Sequence, residues 1–183
     1  MDISQLVAKQ REYYFSGATR PADFRIKALN KLADAVLKNE VYLADALTKD
    51  LNRHPTESYM CETGIVLDEI RYHKKHLKSW MAKKYMPTAV GQLPGRCFVS
   101  PEPYGVVLIM SPWNYPVQLC LEPLIGAISA GNCAIIKPSA YAPNTSAAIA
   151  KIIGETFDPE YIAVVQGGRE ENKALLDLEF DYI

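Results

Sequence analysis

An amide, an ammonium, four thiols and a pair of imidazoles are the groups in this sequence whose setting invites chemistry. The amide is Asn114, in SPWNYP, which directly follows the apolar run Val106–Met110. Pro112 and Pro116 fix the backbone on either side of it and remove two N–H donors. The ammonium is Lys137, in KPS, directly after a second apolar run, with Ser139 two residues on. Gly167-Gly168 follows a third apolar run, and such a pair lets backbone pass close to a ligand or a helix. Alone, each has an ordinary reading. Asn tolerates turns, a Lys can cap a strand end, and glycines serve loops. Together they share a position: each lies just past the carboxyl end of an apolar strand, where open α/β sheets bind ligands.

The thiols are Cys61, Cys97, Cys120 and Cys133. None forms a C-x-x-C pair, and they read as reduced. Cys120 and Cys133 sit within apolar helix and strand patterns, as small core residues do. Cys61 lies on a long helical segment with no base identifiable beside it. No nucleophile is assigned. His73 and His76 have a spacing that lets both meet a metal, but no third ligand is evident. Lysines at 74, 75 and 78 mark that stretch as a solvated face, so no metal is expected.

These groups must be positioned by a chain of 183 residues with 49% hydrophobic and 22% charged content, which is globular rather than disordered. Twenty basic residues against 21 acidic ones give a net charge of −1, which argues against a nucleic-acid binder. No apolar run approaches the ~20 residues of a membrane span. The N-terminus has early charges and no signal-like apolar core. A cytoplasmic protein is expected, and the match to a glycosylation acceptor at Asn144-Thr145-Ser146 reads as coincidence.

The first half reads as helices over 3–15, from Pro21 onward, over 40–51, and as one long helix over 55–84 opened by Pro55. Residues 85–103 carry Pro87, Gly91, Pro94, Gly95, Pro101 and Pro103, which break any helix. Residues 96–100 read as half of a hairpin arm. The second half alternates: strand 106–110, helix 116–130, strand 133–136, helix 143–156, strand 161–165, helix 169–178, and the start of a fourth strand over 180–183. That alternation predicts an α/β fold, with N-terminal helices followed by a doubly wound, mostly parallel Rossmann-like sheet. The sheet is expected to be incomplete at the C-terminus, because a terminal parallel strand lacks its return helix.

SPEPYGVVLIMSPWNYP (100–116) and GAISAGNCAIIKPSA (126–140) resemble the cofactor-binding domain of aldehyde dehydrogenases. FSGATRPADFRIKALNKL (15–32) and ETGIVLDEIRYHKKHLKSW (62–80) resemble the class 3 branch, so the likeness runs along essentially the whole chain. It implies residues 1–84 as an N-terminal helical segment, 85–103 as an extended arm and 104–183 as a partial NAD(P)-binding domain, with the catalytic domain absent. Asn114 then matches the residue whose amide donates to the oxygen of the thiohemiacetal formed when a Cys attacks the aldehyde. A neutral donor suits that role, since it stabilises developing negative charge without titrating. The resemblance carries Lys137, with Ser139, to the adenosine ribose of NAD or NADP. It carries Ser111, Pro112 and Trp113 to the nicotinamide side, and Gly167 and Gly168 to the cofactor loop.

Two departures from the family pattern matter. Ala140 stands where many members place a carboxylate that accepts from the ribose, so a 2′-phosphate meets less repulsion and NADP is tolerated. The catalytic Cys and Glu motifs are missing. Gly91-Gln92 before Cys97 resembles the Gly-Gln-x-Cys motif only faintly, because Pro94 occupies the cysteine's place. The resemblance therefore implies a small-molecule aldehyde as the parent enzyme's substrate, a homodimeric parent, and inactivity of this chain alone. A non-catalytic remnant or subunit-pairing fragment is the alternative, as is part of an acyl-reducing member of the superfamily.

Overall fold

A computed structural model describes residues 2–183. Three helices come first: α1 (Ile3–Phe15), α2 (Ala22–Lys38) and α3 (Glu40–Leu51). The single long helix expected over 55–84 is instead divided. It begins as α4 (Pro55–Ser58), loosens into a π-turn over Tyr59–Thr63, and resumes as α5 (Gly64–Trp80). The apolar stripe alone did not mark the break, because a π-turn adds a residue without interrupting the helical run. Gly64 is what permits it. A Cβ there would stand 2.7 Å from the Tyr59 carbonyl oxygen. The helix stops at Trp80 rather than at residue 84, and Lys84 opens strand β1 (Lys84–Met86). β1 pairs antiparallel with β2 (Cys97–Val99), which completes the expected hairpin arm.

The second half alternates as the sequence predicts: β3 (Val106–Met110), α6 (Gln118–Ala130), β4 (Cys133–Lys137), α7 (Pro143–Thr156), β5 (Ile162–Val164) and α8 (Arg169–Leu176). β3 pairs parallel with β4, and β4 with β5, in a register that sets Met110 opposite Lys137 and Ile136 opposite Val164. The fourth strand is present as one parallel bridge, Tyr182 to Val107, on the side of β3 away from β4. The spatial order is therefore Tyr182 segment, β3, β4, β5. The chain reverses its direction of travel across the sheet at β3. The carboxyl end of β3 is thus the topological switch point, where ligands bind in such sheets.

Both sheet faces are covered, which is why β4 is buried at every position. Val107, Ile109, Ala134, Ile136 and Ile162 pack under α2, α5, α6 and α7. Leu108, Ile135 and Ala163 face the other way, against Leu6 and Val7 of α1 and Leu175 of α8. The period of two along the strands thus meets the helical spacing of α1. Gln10 continues the α1 stripe into the core. Its amide donates to the Ala134 and Pro159 carbonyls at 3.0 and 2.9 Å. No described helix is long and apolar enough to cross a membrane.

Candidate functional site

A cleft of about 150 Å³ lies at the carboxyl ends of β3, β4 and β5, lined by Ser111, Lys137, Ser139, Gly167, Gly168 and Arg169 among others. Five of the eight residues predicted for the site meet there. The parallel ladder runs to its edge, since the Ser111 amide donates to the Lys137 carbonyl at 3.1 Å. Lys137 is 3% exposed. Its ammonium donates to the Pro138 carbonyl at 2.8 Å, which leaves two of its three donors for a ligand. Burial pulls its pKa below the ordinary lysine value, against the opposing pull of Glu171 and Cys120.

The glycine pair shapes the opposite wall. Gly167 has φ +135°, and a Cβ on it would collide with the Glu171 side chain. That side chain turns back to accept from the Gly168 amide at 2.6 Å. Hydrogen bonds from the amides of Glu171 and Gly168 hold its carboxyl below the usual range. Nothing lies within 4 Å of where a Gly168 Cβ would stand, so the glycine leaves open space. The lining holds two cations, Lys137 and Arg169, and no carboxylate.

The other three predicted residues stand beside the cleft rather than in its lining. Pro112, Trp113 and Asn114 occupy the turn that leaves β3, and all three are exposed. The turn is held from outside. Arg53 donates to the Asn114 carbonyl at 2.9 Å and lies over the Tyr115 ring at 4.8 Å. The same guanidinium pairs with Glu62. The other Glu62 oxygen accepts from the amides of Val117 and Gln118, at 2.7 and 3.0 Å, at the start of α6. Sequence reasoning missed Arg53 and Glu62. The one local signal was Gly64, an unfavourable residue for a helix interior.

Cys120 and Cys133 are fully buried, and desolvation pushes both thiols up to about 12. Cys120 contacts the Ser111 hydroxyl at 2.8 Å. A thiol held so high is a poor nucleophile. Cys61 and Cys97 are partly exposed. An aromatic-disulfide reagent at pH 8 is therefore expected to titrate two thiols quickly in the folded chain and four in denaturant. Rapid labelling of Cys120 would contradict that placement.

His73 is not part of a solvated face, as its neighbouring lysines implied. It is half-buried, contacts Ser129 of α6 at 2.7 Å and meets Glu69 at 3.0 Å, so it ties α5 to α6. A larger hollow of about 500 Å³ lies along β3 and α6 beside Tyr182. Its walls carry no charged side chain, and it flanks β3 rather than meeting Lys137.

The family model for "Aldehyde dehydrogenase family" matches residues 1–179. The chain is 42% identical over 181 residues to a 4,4'-diaponeurosporen-aldehyde dehydrogenase of Staphylococcus aureus, covering 99% of this chain and 39% of that protein. It is 37% identical to human aldehyde dehydrogenase family 3 member B1, with 99% and 39% covered. It is 39% identical to the canine "Aldehyde dehydrogenase, dimeric NADP-preferring", with 99% and 40% covered. A solved structure of Staphylococcus aureus AldH in a substrate-bound state superposes with a TM-score of 0.96, at 42% identity, over 100% of this chain and 40% of that one. The chain thus spans about two fifths of the length of these relatives. Members of the family use NAD or NADP. On this match along nearly its whole length, the chain belongs to the aldehyde dehydrogenase family.

Proposed function

We propose that this chain is the cofactor-binding part of an NAD(P)-dependent dehydrogenase that oxidises an aldehyde to a carboxylic acid. The observation that carries the reading is the convergence of Ser111, Lys137, Ser139, Gly167 and Gly168 on one cleft at the carboxyl ends of β3, β4 and β5, with Asn114 on the adjoining turn. The residues fit a dinucleotide. An extended ligand needs only one end in a cleft of this size. A buried ammonium with spare donors, a serine hydroxyl and an uncluttered glycine suit a ribose and its phosphate. Lys137 donates to the ribose hydroxyls, and Ser139 offers both a donor and an acceptor beside it. Ser111, Pro112 and Trp113 approach the nicotinamide side. Bound there, NAD(P) supplies the hydride acceptor. The Asn114 amide donates to the aldehyde oxygen as it becomes negative.

Two lining cations and an exposed Ala140 favour acceptance of the 2′-phosphate of NADP, against the one opposing charge of Glu171 beside Gly168. The canine relative's name points the same way. None of the four cysteines is assigned as the nucleophile, so aldehyde turnover is not expected from this chain alone. The test is calorimetric titration of NAD⁺ and NADP⁺ into the chain, followed by an aldehyde oxidation assay. Saturable binding of both, within about tenfold of each other or ~1.4 kcal/mol, with no turnover, is the expected result. A clear NAD-only preference would sink the specificity argument, and turnover would sink the claim of inactivity.

A further inference from the structure

The turn Pro112–Pro116 has a deficit built into it. Two of its residues are prolines and donate no backbone hydrogen bond, yet it must present one side chain at a fixed place. Its exposed groups cannot hold it by packing. Its backbone carbonyls and the amides that follow must find partners elsewhere. Those partners come from far back in the chain. Arg53 donates to the Asn114 carbonyl, while Glu62 accepts from Val117 and Gln118. The guanidinium and carboxylate are joined to each other. One ion pair therefore grips both ends of the segment 114–118. Arg53 adds the face of Tyr115 and a contact with Glu57 at 3.5 Å.

Glu62 owes its inward position to the π-turn over Tyr59–Thr63. That turn buries Glu62 completely, and Thr63 beside it. Such an extra residue re-aims a side chain, and π-turns recur at functional sites. Gly64 keeps the turn possible, because any Cβ there meets the Tyr59 carbonyl.

We infer that Arg53 and Glu62 are the positioning pair for Asn114, and that the π-turn at Tyr59–Thr63 exists to deliver Glu62 to that task. The inference rests on the reading of Asn114 as the oxyanion donor. Both residues stand outside the lining of the cleft. Their action is to keep the Asn114 amide in one orientation, so that no reordering is required when charge develops on the substrate oxygen. The sheet and its two covering layers are packed by other residues, so a chain weakened by loss of the pair still folds.

The test uses the ¹⁵N-labelled 183-residue chain, read by proton–nitrogen NMR at the Asn114 side-chain amide, the Trp113 indole and the backbone amides of Val117 and Gln118. Three variants separate the roles. Arg53→Lys keeps the charge beside Glu62 but cannot also fork to the Asn114 carbonyl and stack on Tyr115. Arg53→Met removes the charge. Gly64→Ala changes no charge and displaces Glu62. Arg53→Lys and Arg53→Met are expected to shift and broaden the Asn114 and Trp113 signals while amides of Cys133–Lys137 stay in place. Gly64→Ala is expected to speed Val117 and Gln118 amide exchange by about tenfold or more, the factor that one lost hydrogen bond to a charged group is worth. Asn114 and Trp113 signals unchanged in both Arg53 variants would overturn the proposal. So would loss of the strand amides in Arg53→Lys as complete as loss of the turn signals, since the change would then unfold the chain rather than free the turn. NAD⁺ added to the same samples reports separately. If nucleotide fails to bind while the turn signals respond as expected, the cofactor reading falls and the positioning pair stands.

Discussion

Glu62→Ala should lower the stability of this chain by about 3–5 kcal/mol, the range for breaking a buried ion pair by removing one partner. At about 2–4 °C per kcal/mol for a chain of this size, thermal unfolding should move down by roughly 6–20 °C. The change leaves Arg53, whose side chain is 10% exposed, with only the exposed Glu57 carboxylate at 3.5 Å. It also orphans the two amides that open α6. Glu62→Gln should cost distinctly less. Burial pushes the Glu62 carboxyl up, against the opposing pull of the Gln118 and Val117 amides and of Arg53. The charge is therefore the expensive part of the residue and the acceptor oxygen the useful part, which glutamine keeps. The pH dependence follows with a definite sign. A carboxyl whose native pKa is raised binds its proton more readily folded than unfolded, so its share of stability falls as pH rises from the ordinary carboxyl range through the native value. That decline should be present in the parent chain and missing from both variants. Chemical denaturation across pH 4–8 measures it, and equal losses for Ala and Gln would contradict the argument.

The second large effect runs the other way for stability. Lys137→Met should weaken NAD(P) binding by about 10- to 100-fold, the worth of one or two hydrogen bonds from a charged donor, while leaving the fold as stable or more so. Lys137 is buried at the end of β4, and desolvation lowers its pKa. Below that native pKa the ammonium is charged at a cost to the folded state. Above it the cost fades, because the folded chain gives up its proton while the unfolded chain still holds one. Methionine keeps most of the apolar stem and removes the cost. A rise in melting temperature together with lost affinity is the pattern of a residue retained for function at the expense of stability. A fall in melting temperature with affinity unchanged would assign Lys137 to structure instead.

The sequence revealed the helices and strands well because their signals are local. Val106–Met110 and Cys133–Lys137 are β-branched runs bounded by turn residues, and α1 shows Leu6, Val7 and Gln10 on one face. The positions of Lys137 and Gly167-Gly168 followed from lying at or just past strand ends, with no need of tertiary detail. The residues that hold Asn114 did not follow. Arg53 and Glu62 lie 61 and 55 residues before the backbone groups they grip, and no periodicity relates them. The π-turn was hidden for a different reason. It leaves the apolar stripe of the long helix nearly intact while turning Glu62 inward, so only the odd Gly64 betrayed it. His73 was misjudged through its neighbours. Adjacent lysines on a helix point some 100° away from it, and they say little about the face it shares with Ser129.

The central claim is that the cleft at the ends of β3, β4 and β5 holds the nucleotide. Titrating NAD⁺ and NADP⁺ into the ¹⁵N-labelled chain and mapping the shifted amides tests it most directly. Saturable shifts are expected, confined to Ser111, the stretch Lys137 to Tyr141, and Gly167 to Arg169, with the hairpin arm silent. A folded chain that shows no saturable shift, or one whose shifts centre on the apolar hollow beside Tyr182, would contradict it.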